Sequence, residues 1–333
     1  MTAAMTDTMT TALSKDTTRE GVDVLERFDF GGPPQWALVR GRSRTSPVLL
    51  LVQAGPGFPI IHDAAAIERQ LHLEEQFRVA YWDRRGTGKS FDPKANEAIS
   101  LEAQVADVRA MVHALCERLG VSQVDVVGFS FGASLSLLAC AENPPPIRSL
   151  TCVGPDVNLL ESERFAFDFA LAEAERRGHK GALRVLRAIG EPPHVEAKRF
   201  IARVKWVSNF GGVHRGKDFG ALLRTTILHL WSSPHYSLRE MINALRGMGA
   251  TLERALPALQ GFDLLATPLR IGVPTIVFQG RQDAAAPPKL AAALAERVGA
   301  DVVWFEDSAH TPHDEEPQRF REELLRFIAK VSN

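Results

Sequence analysis

The chain has little that would tie it to a charged polymer, a membrane or an oxidising compartment. Its 39 Lys and Arg offset 40 Asp and Glu, for a formal net charge of −1, so it offers no electrostatic footprint to nucleic acid or to an anionic membrane surface. No run approaches 18 apolar residues, about the least that spans a bilayer. Cysteine is scarce. Cys116, Cys140 and Cys152 lie in apolar stretches, and an odd count with that spacing fits neither a disulfide framework nor a zinc site; they read as buried, reduced thiols. Residues 1–17 are rich in Thr and Ala without an apolar stretch, which excludes a secretion signal and reads as a disordered leader. The cytoplasm is the expected location. Nucleotide motifs are missing as well. Gly88-Lys89-Ser90 has the form of the end of a phosphate loop, but Asp83 stands where that loop needs its first glycine, and no G-x-G-x-x-G occurs. His310 and His313 have no credible third ligand, so neither a metal nor another cofactor is expected.

What is present is a strand-rich start, a helical middle and a strand–helix end. Val22 to Phe30 and Gln35 to Gly41 read as strands around the turn cluster Gly31-Gly32-Pro33-Pro34. Pro47 to Gln53 holds a continuous apolar run, the pattern of a strand buried on both faces. Phe77 to Asp83, Gln123 to Phe129 and Ile147 to Val153 are further strands. Leu101 to Leu119 keeps helical spacing and is stopped by Gly120. Later, strands at Pro274 to Gln279 and Asp301 to Glu306 alternate with helices at Pro288 to Val298 and Asp314 to Val331. This alternation predicts a mostly parallel, doubly wound α/β sheet with helices on both faces.

Residues 156–262 contain no convincing strand. Helices are expected at Glu161 to Arg177, His194 to Asn209, Phe219 to Trp231 and Ser237 to Arg246. The segment is mildly basic, with 15 Lys and Arg against 10 Asp and Glu between Asp156 and Ala250. An all-helical insert between strands of a parallel sheet reads as a cap over the carboxyl edge, where ligands bind in such sheets. The expected organisation is a core of residues 18–155 and 263–333 with a cap at 156–262. The cap aromatics Phe165, Phe167, Phe169, Trp206, Phe210, Trp231 and Tyr236 read mainly as the cap's own packing, with the remainder lining an apolar acyl pocket.

Ser130 lies in Gly128-Phe129-Ser130-Phe131-Gly132, directly after the apolar strand and before a helix-forming stretch, Ala133 to Glu142. A strand that runs through G-x-S-x-G into a helix is the layout of a nucleophile elbow. Its glycines keep Cβ atoms out of a turn too tight to hold them. A serine hydroxyl is a weak nucleophile at neutral pH, so it needs an adjacent base, and the base needs a third group to hold its tautomer. The elbow layout puts them in the order Ser, acid, His. Asp283 follows the strand that closes at Gly280, and His310 follows the strand through Phe305. Both are strand carboxyl ends. Asp283 has a second reading, as a cap on the next helix. His313 is the rival base and Asp307 the rival acid; His310 is preferred because it lies nearer the strand end. The oxyanion donors are expected at the N–H of Phe131 and, in Gln53-Ala54-Gly55-Pro56-Gly57, at Gly55 or Gly57, since Pro56 has no N–H.

The chain resembles an α/β-hydrolase of the proline iminopeptidase-like group. The likeness rests on Gln53-Ala54-Gly55-Pro56-Gly57, on Trp82-Asp83-Arg84-Arg85-Gly86-Thr87-Gly88-Lys89-Ser90, on the elbow, on Gly280-Arg281-Gln282-Asp283, and on Ser308-Ala309-His310-Thr311-Pro312 with Glu316-Pro317. It implies the α/β-hydrolase fold with an inserted helical cap, and Gly55 as the second oxyanion donor. It also implies a structural role for the Asp83–Ser90 loop, with Asp83 buttressing the oxyanion turn. Where that group has His-Gly ahead of Gly-Pro-Gly, this chain has Gln53-Ala54; main-chain donation survives the change. Aminopeptidases of the group hold a free amine with acidic cap residues. The candidates here, Glu161, Glu163, Asp168 and Glu173, read more simply as a solvated helix face. The expected activity is hydrolysis of a carboxylic ester or lactone on a small-molecule substrate. The alternatives are an aminopeptidase for N-terminal proline and, in another class, a non-catalytic ligand-binding protein on the same scaffold. The aspartate-nucleophile chemistry of related dehalogenases and epoxide hydrolases is disfavoured by Ser130.

Overall fold

A computed structural model describes residues 21–95 and 99–332. The expected leader, residues 1–17, lies outside them. The apolar run beginning at Val48 shows how the sheet is built. All five residues of Val48–Val52 (β3) are buried, and alternate ones feed different cores. Val48, Leu50 and Val52 join one cluster of buried side chains and Leu49 and Leu51 the other, the period-2 alternation of a strand covered on both faces.

Among the described residues eight strands run Val22–Phe28 (β1), Gln35–Gly41 (β2), β3, Arg78–Asp83 (β4), Val124–Phe129 (β5), Ile147–Val153 (β6), Thr275–Gly280 (β7) and Asp301–Phe305 (β8). Their order in the sheet is β1-β2-β4-β3-β5-β6-β7-β8. β2 pairs antiparallel with β1 and β4, and the other pairings are parallel. The parallel strands therefore deliver their carboxyl ends to one edge. The helices of the core are Ala64–Leu71 (α1), Leu101–Leu119 (α2) and Phe131–Cys140 (α3), and after the insert Pro288–Val298 (α9), Pro312–Glu315 (α10) and Pro317–Ser332 (α11). Apolar residues of α2, α3 and α9 fill one core, and those of α1 and α11 the other. Ser100 caps α2 by accepting the N–H of Ala103, and Gly120 ends it at φ +64. Truncating a fully buried side chain such as Leu324 of α11 costs about 2–5 kcal/mol. Cys140 and Cys152 are buried, Cys116 is half-buried, and none is paired.

Five helices lie between β6 and β7: Leu159–Arg176 (α4), Lys180–Ile189 (α5), Ala197–Asn209 (α6), Phe219–Ser232 (α7) and Leu238–Ala255 (α8). At the neck, Leu264 donates to the carbonyl of Val157 and Leu159 to that of Phe262. Lys89 pairs with Glu240 at 2.5 Å, and Thr251 donates to the Gly86 carbonyl at 2.6 Å. These bonds tie α8 down on the Asp83–Ser90 loop.

Four elements depart from the sequence reading. Helices α1 and α5 are additional. Helix α8 continues past Gly247 and Gly249 to Ala255, with Gly247 so close to Phe91 that a Cβ there would stand 2.9 Å from its ring. The last helix, expected from Asp314, is broken at Glu316 (φ −128, ψ 55) between α10 and α11. Pro317 explains the break. It cannot donate the N–H that a continuous helix needs, it disfavours helical backbone at the residue before it, and it suits the first turn of a new helix.

Candidate active site

β5 is buried along its whole length and ends at Phe129. The next residue, Ser130, sits at φ +51, ψ −122, a conformation that costs a non-glycine residue about 1–3 kcal/mol. Its neighbours make that turn possible. A Cβ on Gly128 would lie 2.5 Å from Ala133 Cα, and one on Gly132 would lie 2.2 Å from the Val52 carbonyl oxygen. Phe131 opens α3, so its N–H has no carbonyl one turn back and is free for a ligand. The positive end of the helix dipole faces the same spot.

Asp283 and His310 come together from the ends of β7 and β8. Asp283 Oδ2 is 2.7 Å from His310 Nδ1. The helix-cap reading of Asp283 holds at the same time, through its other oxygen: Oδ1 accepts the N–H groups of Ala285 and Ala286, both at 2.8 Å. Gln279 adds a third donor, to Oδ2, at 3.0 Å. His310 is anchored from the cap, its N–H donating to the Val213 carbonyl at 2.9 Å. Gly154, just after β6 at φ +52, leaves room for the pair. A Cβ there would stand 3.1 Å from His310 Nδ1. Burial alone would hold the imidazole neutral, but Asp283, then Asp156 and Glu315, outweigh it and raise His310 to about 9.

The rival base has different surroundings. His313 also lines the cavity, but burial pushes it down to about 4. Among the described residues its Nδ1 has no partner, and its ring packs on Phe129 at 4.7 Å. Asp307 is exposed.

Ser130 Oγ donates not to His310 but to Asp156 Oδ2, at 3.3 Å; among the described residues no hydrogen bond joins Ser130 to His310. Asp156 was read from the sequence only as the first residue of the insert. The signal that would have found it is its position just past the carboxyl end of β6, one strand over from the elbow. Burial raises its carboxyl, as does nearby Asp283; His310, the Ser130 hydroxyl and Arg203 oppose the rise.

The loop after β3 is held by a residue that sequence reasoning passed over. Arg84 Nη2 donates to three successive carbonyls, those of Gln53 (3.0 Å), Ala54 (3.2 Å) and Gly55 (2.5 Å). Burial lowers this guanidinium to about 10. Asp83 braces the segment that follows: its Oδ1 accepts the N–H groups of Ile60 and Ile61, and its Oδ2 those of Lys89 and the Tyr236 hydroxyl. Gly55, Ser130, Phe131 and His310 all line one cavity of about 690 Å³ under the cap.

The cap contributes to that cavity differently from expectation. None of the seven aromatics singled out in the sequence is among its lining residues. Phe167 and Phe210 are buried in the cap's own core, Tyr236 is bonded to Asp83, and Trp231 is 73% exposed. The aromatic walls are instead Phe58, Phe129, Phe131, Phe200, Phe219 and Phe262. Aromatic content could not say which face of a helix each ring would occupy. Of the four acidic cap residues, only Glu163 lines the cavity. Its carboxylate is taken by buried Arg203 at 3.0 Å and by the His194 N–H. Glu161 and Asp168 are exposed, and Glu173 is paired with Arg176 and Arg177. Asp156, Ser162, Glu163 and Arg203 form a polar corner in an otherwise mostly apolar wall, and among the described residues the buried Ser162 hydroxyl has no partner. Among the described residues no group of His, Cys, Asp and Glu is arranged to hold a metal ion.

Comparison with known proteins agrees with this architecture. The probable aminopeptidase YbaC of Bacillus subtilis is 24% identical over 314 residues, covering 92% of this chain and 97% of that protein. The crystal structure of the proline iminopeptidase-related protein TTHA1809 from Thermus thermophilus superposes with a TM-score of 0.60 at 20% identity, over 93% of this chain and 98% of that one. The esterase RhEst1 from Rhodococcus sp. ECU1013 superposes with a TM-score of 0.59 at 18% identity, over 94% and 98%. These structures share the fold. The family model described as alpha/beta hydrolase fold matches residues 47–317, and the chain belongs to that family.

Proposed function

We propose that this chain is a serine hydrolase that cleaves a carboxylic ester or lactone through an acyl-enzyme. One observation carries the reading: the 2.7 Å contact between His310 Nδ1 and Asp283 Oδ2, made in a cavity that Ser130 also lines. Asp283 holds the imidazole by Nδ1 and leaves Nε2 for the Ser130 hydroxyl. Ser130 Oγ attacks the substrate carbonyl while His310 takes its proton. The oxyanion that forms lies against the N–H groups of Phe131 and Gly55. His310 passes the proton to the leaving alcohol, and a water activated by His310 then frees the acid. Asp283 stabilises the imidazolium at each stage. Arg84 supports the oxyanion site by holding three carbonyls of its loop. The mostly apolar walls suit an apolar acyl chain.

A second reading, an aminopeptidase for N-terminal proline, draws on the likeness to YbaC and on the carboxylate of Asp156 beside the nucleophile. A panel of aryl esters against prolyl-arylamides separates the two. Turnover of the esters is expected, and activity confined to the prolyl amides would reverse the order. A non-catalytic ligand-binding role requires that a fluorophosphonate probe fail to label Ser130. The reading further places the core at residues 18–155 and 263–333, the cap at 156–262, and the enzyme in the cytoplasm with its three thiols reduced.

A further inference from the structure

We propose that Asp156 is a positioning residue whose carboxylate holds the Ser130 hydroxyl away from His310 in the resting enzyme, so that loss of its charge frees the nucleophile. The proposal rests on the serine-hydrolase reading above and goes beyond it.

A serine hydroxyl has one hydrogen to donate. It goes to Asp156 Oδ2 at 3.3 Å, and among the described residues no hydrogen bond takes it to His310. The carboxylate is held in place. Ser134 Oγ donates to the Asp156 carbonyl at 2.5 Å, which ties the residue to the first turn of α3, directly below the nucleophile. Among the described residues no ion pair takes up its charge, and Arg203, which also faces it, is engaged by Glu163. An ionised acceptor makes a stronger hydrogen bond than a neutral imidazole does.

The same charge acts on the base. The groups that face His310 are Asp283 from the loop after β7, Asp156 from the loop after β6, Glu315 from α10 and, with the opposite effect, His313. Those that face Asp156 are His310, Asp283, the Ser130 hydroxyl and Arg203. Three carboxylates around one imidazole hold its proton on, and a protonated imidazole has no lone pair with which to receive the serine's proton. In the resting site, then, the hydroxyl points to one carboxylate while the base is occupied. Removing the Asp156 charge relieves both conditions together, with no covalent change: the hydroxyl rotates towards His310 Nε2, and His310 gives its proton to solvent at a lower pH.

The test uses the full-length enzyme and the rate of Ser130 labelling by a fluorophosphonate between pH 5 and pH 10, with aryl-ester kcat/KM measured alongside. In Asp156→Asn the acid-side midpoint moves down by roughly one pH unit, the effect expected from removing one neighbouring opposite charge. Labelling at pH 7 becomes about tenfold faster, since each unit of midpoint is tenfold in the fraction of neutral base. Asp156→Ser, which also lacks the charge, shifts the profile the same way. An Asn variant that is slower at every pH with its midpoint unmoved makes Asp156 a packing residue and overturns the proposal. So does loss of the folded state in both variants, monitored by thermal unfolding. If wild-type Ser130 is labelled at no pH, the serine-hydrolase reading falls and this proposal falls with it. If it is labelled and the profile ignores Asp156, only this proposal falls.

Discussion

Gly154 and His310 are neighbours only because Gly154 has no side chain: a Cβ at that position would lie 3.1 Å from the imidazole Nδ1 and 3.4 Å from the Asp283 carboxylate. The backbone there is also left-handed, at φ +52. Gly154→Ala therefore strains the chain and pushes the imidazole off its acid. A displacement of about 1 Å at such a site costs on the order of 10²-fold in turnover. Ester turnover is expected to fall by about that factor while the protein stays folded. Unchanged kcat would show that the pair tolerates the displacement.

Asp283→Asn keeps the size of the side chain and its Oδ1 bonds to Ala285 and Ala286, but it removes the charge that holds the imidazole. In a comparable triad this change costs about 10⁴ in kcat through the wrong tautomer. The same order is expected here, with the fold intact because the turn bonds survive. A loss below tenfold would move the acid role elsewhere, with Asp156 as the group to examine next.

Ser130→Ala or His310→Ala is expected to lower kcat by about 10⁶, since nucleophile and base act as one unit. Ser130→Ala should also abolish fluorophosphonate labelling, read by intact mass. Both proteins should unfold at close to the wild-type temperature, because neither side chain fills the apolar core. Near-normal turnover by a folded Ser130→Ala protein would sink the serine-hydrolase reading.

The cap is latched to the core through Asp314. Its carboxylate takes His214 Nε2 at 3.1 Å and Lys217 from the cap, and Gln70 from α1 at 2.8 Å. Burial favours the neutral acid, but the bonds from His214, Lys217 and Gln70 outweigh it and hold the carboxyl well below the usual carboxylate range. A carboxyl lowered on folding stabilises the native state above its unfolded pKa, and that stabilisation is lost as pH falls through the folded value. Asp314→Asn should therefore lower the melting temperature at pH 7. The gap to wild type should narrow below about pH 4, the unfolded carboxyl's range. A gap that stays constant from pH 7 to pH 3 would mean that the ionised carboxylate contributes nothing.

Much of the core was legible because its signals are local. The five-residue run at Val48, the helical stripe from Val105 to Leu119 with Gly120 behind it, and the glycines flanking Ser130 each mark a conformation within a few residues of themselves. The Asp83–Ser90 loop was legible as structural. Arg84, its most consequential member, was not, because its acceptors are carbonyls some 30 positions away. Pro317 was in plain view, yet the regular stripe of the last helix concealed the break it makes. The cap was legible as helical and no further. Its helices carry apolar residues on more than one face, and which face meets the cavity is decided by neighbours such as Thr251 on Gly86 and Val213 on His310.

The sequence by itself determined the strand–helix order, the tight turn at Ser130 and the candidates at two further strand ends, since backbone sterics and hydrophobic periodicity act over a few residues. Only the tertiary structure decided which acceptor the serine hydroxyl takes, which histidine gains an acid, and which rings wall the cavity. Those outcomes depend on distances between segments far apart along the chain, and on the burial and charge that packing gives them.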